Sequence, residues 1–367
     1  MPFEPRIVPF SWLPAALGLL LAACATVPAT TGSSPPAPVT VPERYLSEAW
    51  AQEELDSLAV WRHPDGAVWL IATGKSTHRL SVIDGDSGRL LRTVGGHGTA
   101  AGEFDRPNGV AVEGDRLFVV ERDNHRVQVL ALPGFTPAGR FGDDVLRSPY
   151  GIWLHPLGDG EIDAYVTDSF MYGERYDVVP PLAELSQRVR RFRLRPDGGT
   201  IAARATGSFG DTSREGALRV VESLAGDPDH DRLLVADEAT AARRRSTLRE
   251  YTLAGRYTGR SLPQGSFDAE AEGVALWTCP GGGGYWVAVD QLTPLTRFHL
   301  FDRHTLDLRG TWQGHATANT DGIALDPRPS AAFPGGALYA VHQDRSIAAF
   351  DLSEVAQTLG LDAACVR

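Results

Sequence analysis

The chain has 367 residues, 43% of them hydrophobic, which is enough for a large core, and carries a net charge of -11. That acidity argues against a nucleic-acid partner. Nearly all the basic residues are arginine, and Lys75 is the sole lysine.

The N-terminus reads as a segment outside the fold. Arg6 precedes an apolar run from Leu13 to Leu21 that leads into Ala22-Ala23-Cys24. A charged start, a short apolar core and small residues make a secretory signal, too short for a spanning helix. Cysteine after Leu21-Ala22-Ala23 resembles the bacterial lipobox. That likeness implies cleavage after residue 23, lipidation of Cys24 and anchoring at the outer membrane or elsewhere in the cell envelope, the lipid being the only membrane contact. An ordinary signal peptide with an incidental cysteine is the alternative. Residues 1–24 are thus expected as the signal, and 25–48, rich in Thr, Ser, Pro and Ala at its start, as a flexible tether.

From residue 49 onward the chain repeats. Six opening strands are expected: Leu58-Ala59-Val60-Trp61, Gly109-Val110-Ala111-Val112, Gly151-Ile152-Trp153-Leu154, Ser223-Leu224-Ala225, Gly273-Val274-Ala275-Leu276 and Gly322-Ile323-Ala324-Leu325. Each is followed by a similar returning strand, such as Leu117-Phe118-Val119-Val120 or Trp286-Val287-Ala288-Val289. Units of roughly 40–50 residues and four strands are the signature of propeller blades. The expected fold is all-β, a six-bladed β-propeller over 49–367. A β-sandwich has no reason to repeat a strand–turn–strand–acid unit. The third unit carries an insertion from near Phe170 to Gln187, and a short helix is expected over Ser353–Leu359. Cys279 and Cys365 either join the C-terminal tail to a hairpin turn or remain free thiols.

In a propeller, residues just before each innermost strand form a ring at one mouth, and residues just after each second strand return to that face. The first ring is Asp56, Asn108, Tyr150, Glu222, Glu272 and Asp321. The second is Lys75, Glu121 to Asp123, Asp168, Asp237 with Glu238, Asp290, and Asp344. Many carboxylates at one mouth repel each other, and oxygen ligands in number favour calcium. The alternative is that these acids cap turns by accepting backbone N–H bonds. Lys75 and Arg122 join the same face. Acids holding a cation beside Lys and Arg suit a phosphorylated small molecule. The alternatives are that Lys75 stands there by chance and that Arg122 is a solvated partner of the acids flanking it.

Several stretches resemble the β-propeller phytases, a calcium-dependent six-bladed family. They are Glu272-Gly273-Val274, Asn319-Thr320-Asp321-Gly322-Ile323, Phe333-Pro334-Gly335-Gly336 with Gln343-Asp344, Ala72-Thr73-Gly74-Lys75, Tyr150-Gly151, Val166-Thr167-Asp168 and Val235-Ala236-Asp237-Glu238. The resemblance spans about Asp56 to Leu361. It implies a phosphomonoesterase acting on substrates such as calcium phytate, with Ca2+ held among Asp56, Asp237, Glu238, Glu272, Asp321 and Asp344. It further implies chemistry at Glu222, Glu272 and Tyr150, phosphate contacts from Lys75 and Arg122, and a monomer. Against the family's pattern, its paired acids are here Asp56-Ser57, a Lys-Glu pair is replaced around Ser169-Phe170, and an acid after Asp-Gly-Ile is Ala324. The second unit, Gly102-Glu103-Phe104-Asp105-Arg106-Pro107-Asn108-Gly109-Val110 with Arg122-Asp123-Asn124-His125-Arg126-Val127, resembles the NHL repeat. That likeness implies the alternative function, a non-catalytic propeller binding an envelope protein or glycan. A lactonase-type propeller with a single metal is a third expectation, from architecture alone.

Overall fold

The computed structural model describes Met1 and residues 37–239 and 246–366. The expected signal, Cys24 and the first part of the expected tether lie outside the described residues. Among those residues no helix is long and apolar enough to cross a membrane.

The described chain is an all-β propeller of six blades. Blade 1 runs through Leu55–Arg62, Val68–Gly74, Arg79–Asp84 and Leu90–Gly95. Blade 2 follows as Pro107–Glu113, Arg116–Glu121, Arg126–Ala131 and Thr136–Phe141, and blade 3 as Pro149–Gly158, Glu161–Asp168, Val189–Asp197 and Thr200–Phe209. Blade 4 is Val221–Asp227, Arg232–Asp237, Thr247–Tyr251 and Tyr257–Ser261, and blade 5 is Ala271–Thr278, Gly284–Asp290, Arg297–Asp302 and Leu308–Gln313. Blade 6 takes Ile323–Asp326, Ala337–His342 and Ser346–Asp351 from the C-terminal end. Its outer strand comes from the other end of the chain, because Tyr45–Leu46 pairs antiparallel with Ser346–Asp351. Val39–Thr40 adds a parallel edge strand to blade 5. The tether expected to reach residue 48 is therefore too long. Tyr45 and Leu46 supply backbone pairing that blade 6 lacks, and a low-complexity start to the segment masked that role.

The six first strands contact one another in sequence and close into a ring. Each second strand is packed on both faces by neighbouring blades, which is why these strands read as continuous apolar runs rather than alternating ones. A hydrophobic cluster lies at every junction, with Phe118 and Phe192 between blades 2 and 3 and Leu234 and Trp286 between blades 4 and 5. Each such fully buried side chain contributes roughly 1.5–3 kcal/mol.

Cys279 and Cys365 form a disulfide across a sequence separation of 86, so the bonded alternative holds. The C-terminal helix, Leu352–Leu359, starts where the Asp351 side chain accepts the Ser353 N–H at 2.8 Å and stops at Gly360 in the left-handed region. It buries Leu352, Val355 and Ala356 against blades 5 and 6. The insertion in blade 3 contains a short 3-10 turn, Leu182–Gln187, and is pinned by buried Phe170 and Leu185.

Candidate functional site: an acidic channel mouth

A register break recurs at the start of the first strand in five blades, between Leu55 and Leu58, Pro107 and Val110, Pro149 and Ile152, Val221 and Leu224, and Ala271 and Val274. Such bulges re-aim a side chain. The re-aimed residues are Asp56, Asn108, Tyr150, Glu222 and Glu272, five of the six ring positions expected from the sequence. Asp321 takes the sixth, just ahead of Ile323–Asp326. In four blades the residue after is a glycine, Gly109, Gly151, Gly273 or Gly322, because the neighbouring blade's backbone passes very close. A Cβ on Gly322 would lie 2.5 Å from the Asp56 carbonyl oxygen, and one on Gly273 would lie 2.8 Å from that of Asp321. The same amides tie the ring together: Gly322 N–H donates to Asp56 O at 2.9 Å and Gly273 N–H to Asp321 O at 2.9 Å.

The side chains form two adjoining groups. Glu222, Glu238 and Glu272 bring one carboxylate oxygen each within 4.8 Å of the others. Beside them, Lys75 Nζ lies 3.1 Å from Asp56 Oδ1, 3.8 Å from Asp321 Oδ2 and 3.9 Å from Glu54 Oε1. Lys75, Asp56, Glu238 and Glu272 are buried. Burial and mutual repulsion act together on the acids. Glu222 is raised well above the carboxylate range by burial and then by Asp56, and Glu238 and Glu272 by burial and then by Glu222. Asp321 is pushed up to about 8 by burial and by Asp56. Burial alone would lower the Lys75 ammonium, but Asp56, Asp321 and Glu222 hold it above its ordinary value.

Tyr150 sits within the field of both groups; burial, then Glu222, Asp56, Glu238 and Glu272, raises its hydroxyl well above the usual range. It therefore stays a donor at neutral pH. Arg122 is half-buried, bonds Asp123 through Nε at 2.7 Å and Nη2 at 3.1 Å, and feels Tyr150 and Glu54. Asp344 accepts from Asn319 Nδ2 at 3.2 Å and interacts with Lys75 and Asp56. So Asp56, Lys75, Tyr150, Glu222, Glu238, Glu272 and Asp321 converge, with Arg122 and Asp344 at the edge.

Asp237 does not join them. Its Oδ1 accepts the N–H groups of Arg219 and Val220 at 3.0 and 3.1 Å, and its Oδ2 takes Arg249 at 3.1 and 3.2 Å. The expected metal role for Asp237 is corrected: one oxygen holds the segment before the first strand of its own blade and the other pairs with Arg249 on that blade's third strand. Three more acids of the expected second ring repeat this device. Asp168 accepts from the Arg147 and Ser148 amides and from Arg190, and Asp290 from the Asp268 and Ala269 amides. Glu121 takes the Asp105 amide with Arg126, Gln128 and Asn124. Turn capping is thus the reading for these four acids. The sequence signal for it is an arginine or histidine on the following strand, as in Arg126, Arg190, Arg249 and His299.

Three contributors escaped sequence reasoning. Glu54 links Lys75 to Arg106, whose Nη2 lies 2.9 Å from Glu54 Oε1. Gln291 hydrogen-bonds Asp321. A separate group at the blade 1–2 junction, His78, His97 and Asp105, brings ligand-type atoms within the same 4.8 Å. Its His78 Nδ1 already accepts the Arg106 N–H at 3.0 Å.

The NHL repeat family model matches residues 104–130, which is blade 2. No curated protein matches the chain. Among solved structures it is similar to a gluconolactonase from Xanthomonas campestris, at 16% identity over 84% of this chain and 88% of that one, with a TM-score of 0.50. It is also similar to a catalytically inactive virginiamycin B lyase from Staphylococcus aureus solved with quinupristin, at 11% identity over 84% of this chain and 88% of that one, TM-score 0.45. Hydrazine synthase from Kuenenia stuttgartiensis is a third, at 14% identity over 85% of this chain and 81% of that one, TM-score 0.47. At these identities the likeness concerns the fold, and fold does not settle function.

Proposed function

We propose that the channel mouth is the active site of a calcium-dependent phosphomonoesterase of the phytase-like class. The observation that carries this reading is the convergence of Glu222, Glu238 and Glu272 beside Lys75, the chain's single lysine. The donor set fits a hard cation. It is all oxygen, its carboxylates are too desolvated to remain charged together, and Glu238 Oε1 is buried without a hydrogen-bond partner. Glu222, Glu238 and Glu272 would hold Ca2+, with Asp56, Asp321 and Asp344 on the adjoining side. When bound, the cation supplies charge neutralisation at a phosphoryl oxygen.

The chain's own residues then divide the work. Lys75 and the outer edge of the Arg122 guanidinium meet phosphate oxygens with fixed positive charge. The Tyr150 hydroxyl donates to a phosphoryl oxygen. Asp56 and Asp321 flank the Lys75 ammonium at 3.1 and 3.8 Å and would hold it in position for its phosphate contact. The acidic lipobox-like protein would present this mouth from the envelope, tethered through Cys24, and replacing Cys24 by Ser should release it to the soluble fraction.

The test is phosphate release from calcium phytate and from a simple aryl phosphate, with and without chelator, for the unaltered protein and Glu272→Gln. Release that needs calcium and Glu272 supports the reading. No release at saturating calcium would overturn it. The NHL match over residues 104–130 favours one second reading, a scaffold binding an envelope protein or glycan. A partner retained equally by Glu272→Ala and Asp321→Ala variants would support that scaffold instead.

A further inference from the structure

Asn108 holds the blade-2 position in the ring, where other blades place Asp56, Tyr150, Glu222, Glu272 and Asp321. Its side chain is fully buried, and neither Oδ1 nor Nδ2 has a hydrogen-bond partner. Its backbone, by contrast, is well held. The Thr73 hydroxyl donates to the Asn108 carbonyl at 2.6 Å and accepts the Ser57 N–H at 3.1 Å. A Cβ added to Gly109 would run into the Tyr150 carbonyl. Asn108 therefore lies between Asp56 and Tyr150 around the ring, with its amide re-aimed by the same bulge that re-aims the site's acids.

A buried amide group left unpaired loses its hydration at each orphaned donor or acceptor with nothing in return. The fold has satisfied the backbone of this residue and left both ends of its side chain unpaired. Structural asparagines do the reverse, spending the amide on nearby backbone. A neutral carbonyl oxygen is also what this sector of the ring requires. Asp56 and Asp321 already face Lys75, and a further carboxylate would add repulsion where a carboxamide adds only a ligand.

We propose that Asn108 is a direct contact for the occupant of the mouth, with Oδ1 toward a hard cation. This rests on the cation-and-phosphate reading above. Calcium–oxygen contacts of about 2.3–2.6 Å are shorter than hydrogen bonds to water. A bare cation therefore fits against an atom that has no solvent-accessible surface.

The experiment compares the full chain with Asn108→Leu and Asn108→Asp, first stripped of divalent ions, then titrated with calcium. Asn108→Leu should melt higher than the unaltered protein in chelator, because an orphaned amide is gone. Its calcium affinity should fall roughly 10- to 100-fold, the loss of one ligand to a charged group. Asn108→Asp should keep calcium binding, since an oxygen acceptor remains. Melting of both variants below the unaltered protein in chelator would show the amide is satisfied within the fold, and would overturn the proposal. Calcium affinity unchanged in Asn108→Leu would overturn it alone. Failure of the unaltered protein to bind calcium would overturn the parent reading together with this one.

Discussion

Asp237 and Glu272 are both buried acids at the same end of neighbouring blades, but the structure assigns them opposite work, and replacing each should separate stability from ligand response. Asp237→Ala strands the Arg219 and Val220 amides and leaves buried Arg249 without its carboxylate. Removing one partner of a buried pair costs about 3–5 kcal/mol. In a domain of this size each kcal/mol moves melting by roughly 2–4 °C, so the loss should be on the order of 10 °C. It should appear with and without calcium, and the calcium-induced gain should persist. Glu272→Gln removes a charge whose neighbours Glu222 and Asp321 repel it. In chelator it should melt no lower than the unaltered protein. In calcium it should lose most of a gain that amounts to about 2.7 kcal/mol at a hundred times Kd. The assay is thermal unfolding at fixed protein concentration in chelator and in excess calcium. A Glu272→Gln variant that keeps the full calcium gain, or an Asp237→Ala variant that loses it, would refute this division of roles.

The other predictions follow from the same geometry. In chelator, folded Asp321 keeps a proton up to about pH 8 whereas the unfolded carboxyl releases it near its ordinary 3.8, so melting should fall as pH rises between these values and calcium should flatten the slope. On the acid side, Thr317 and the backbone amides from His315 to Thr317 hold Glu43 down to about 2 against its burial, so stability should drop as pH falls below about 4. Gly322→Ala should lower both stability and calcium affinity, because the added Cβ meets the Asp56 carbonyl at 2.5 Å, and circular dichroism melts with calcium titration will read both. Reducing Cys279–Cys365 removes a cross-link over 86 residues, for which chain entropy gives about 4–5 kcal/mol, seen as a lower denaturation midpoint with reductant.

Much of this architecture was legible because the blade is a repeating unit whose turn and strand chemistry recurs. The ring positions followed from the repeat alone, since each sits one residue ahead of a Gly-Val or Gly-Ile start, or its serine counterpart at Ser57 and Ser223. The metal role expected for Asp237 fails because period and spacing fix which end of a strand a residue occupies, and not whether its carboxylate faces the channel or its own blade. Arg249 and Arg190 decide that, and they pair across strands that only the fold brings together. The closing strand Tyr45–Leu46 was hidden for a related reason: its partner Ser346–Asp351 lies at the far end of the chain. Asn108 stood in the expected ring, yet nothing in its sequence context reveals that its amide is unpaired.

The most direct test of the account is calorimetric titration of calcium into the chelated full-length protein, repeated with Lys75→Met and with Glu222→Gln. The account predicts saturable binding to the unaltered protein, roughly tenfold or greater weakening in Glu222→Gln, and calcium binding retained in Lys75→Met with phosphate binding lost. No calcium binding by the unaltered protein, or equal binding by Glu222→Gln, would contradict it.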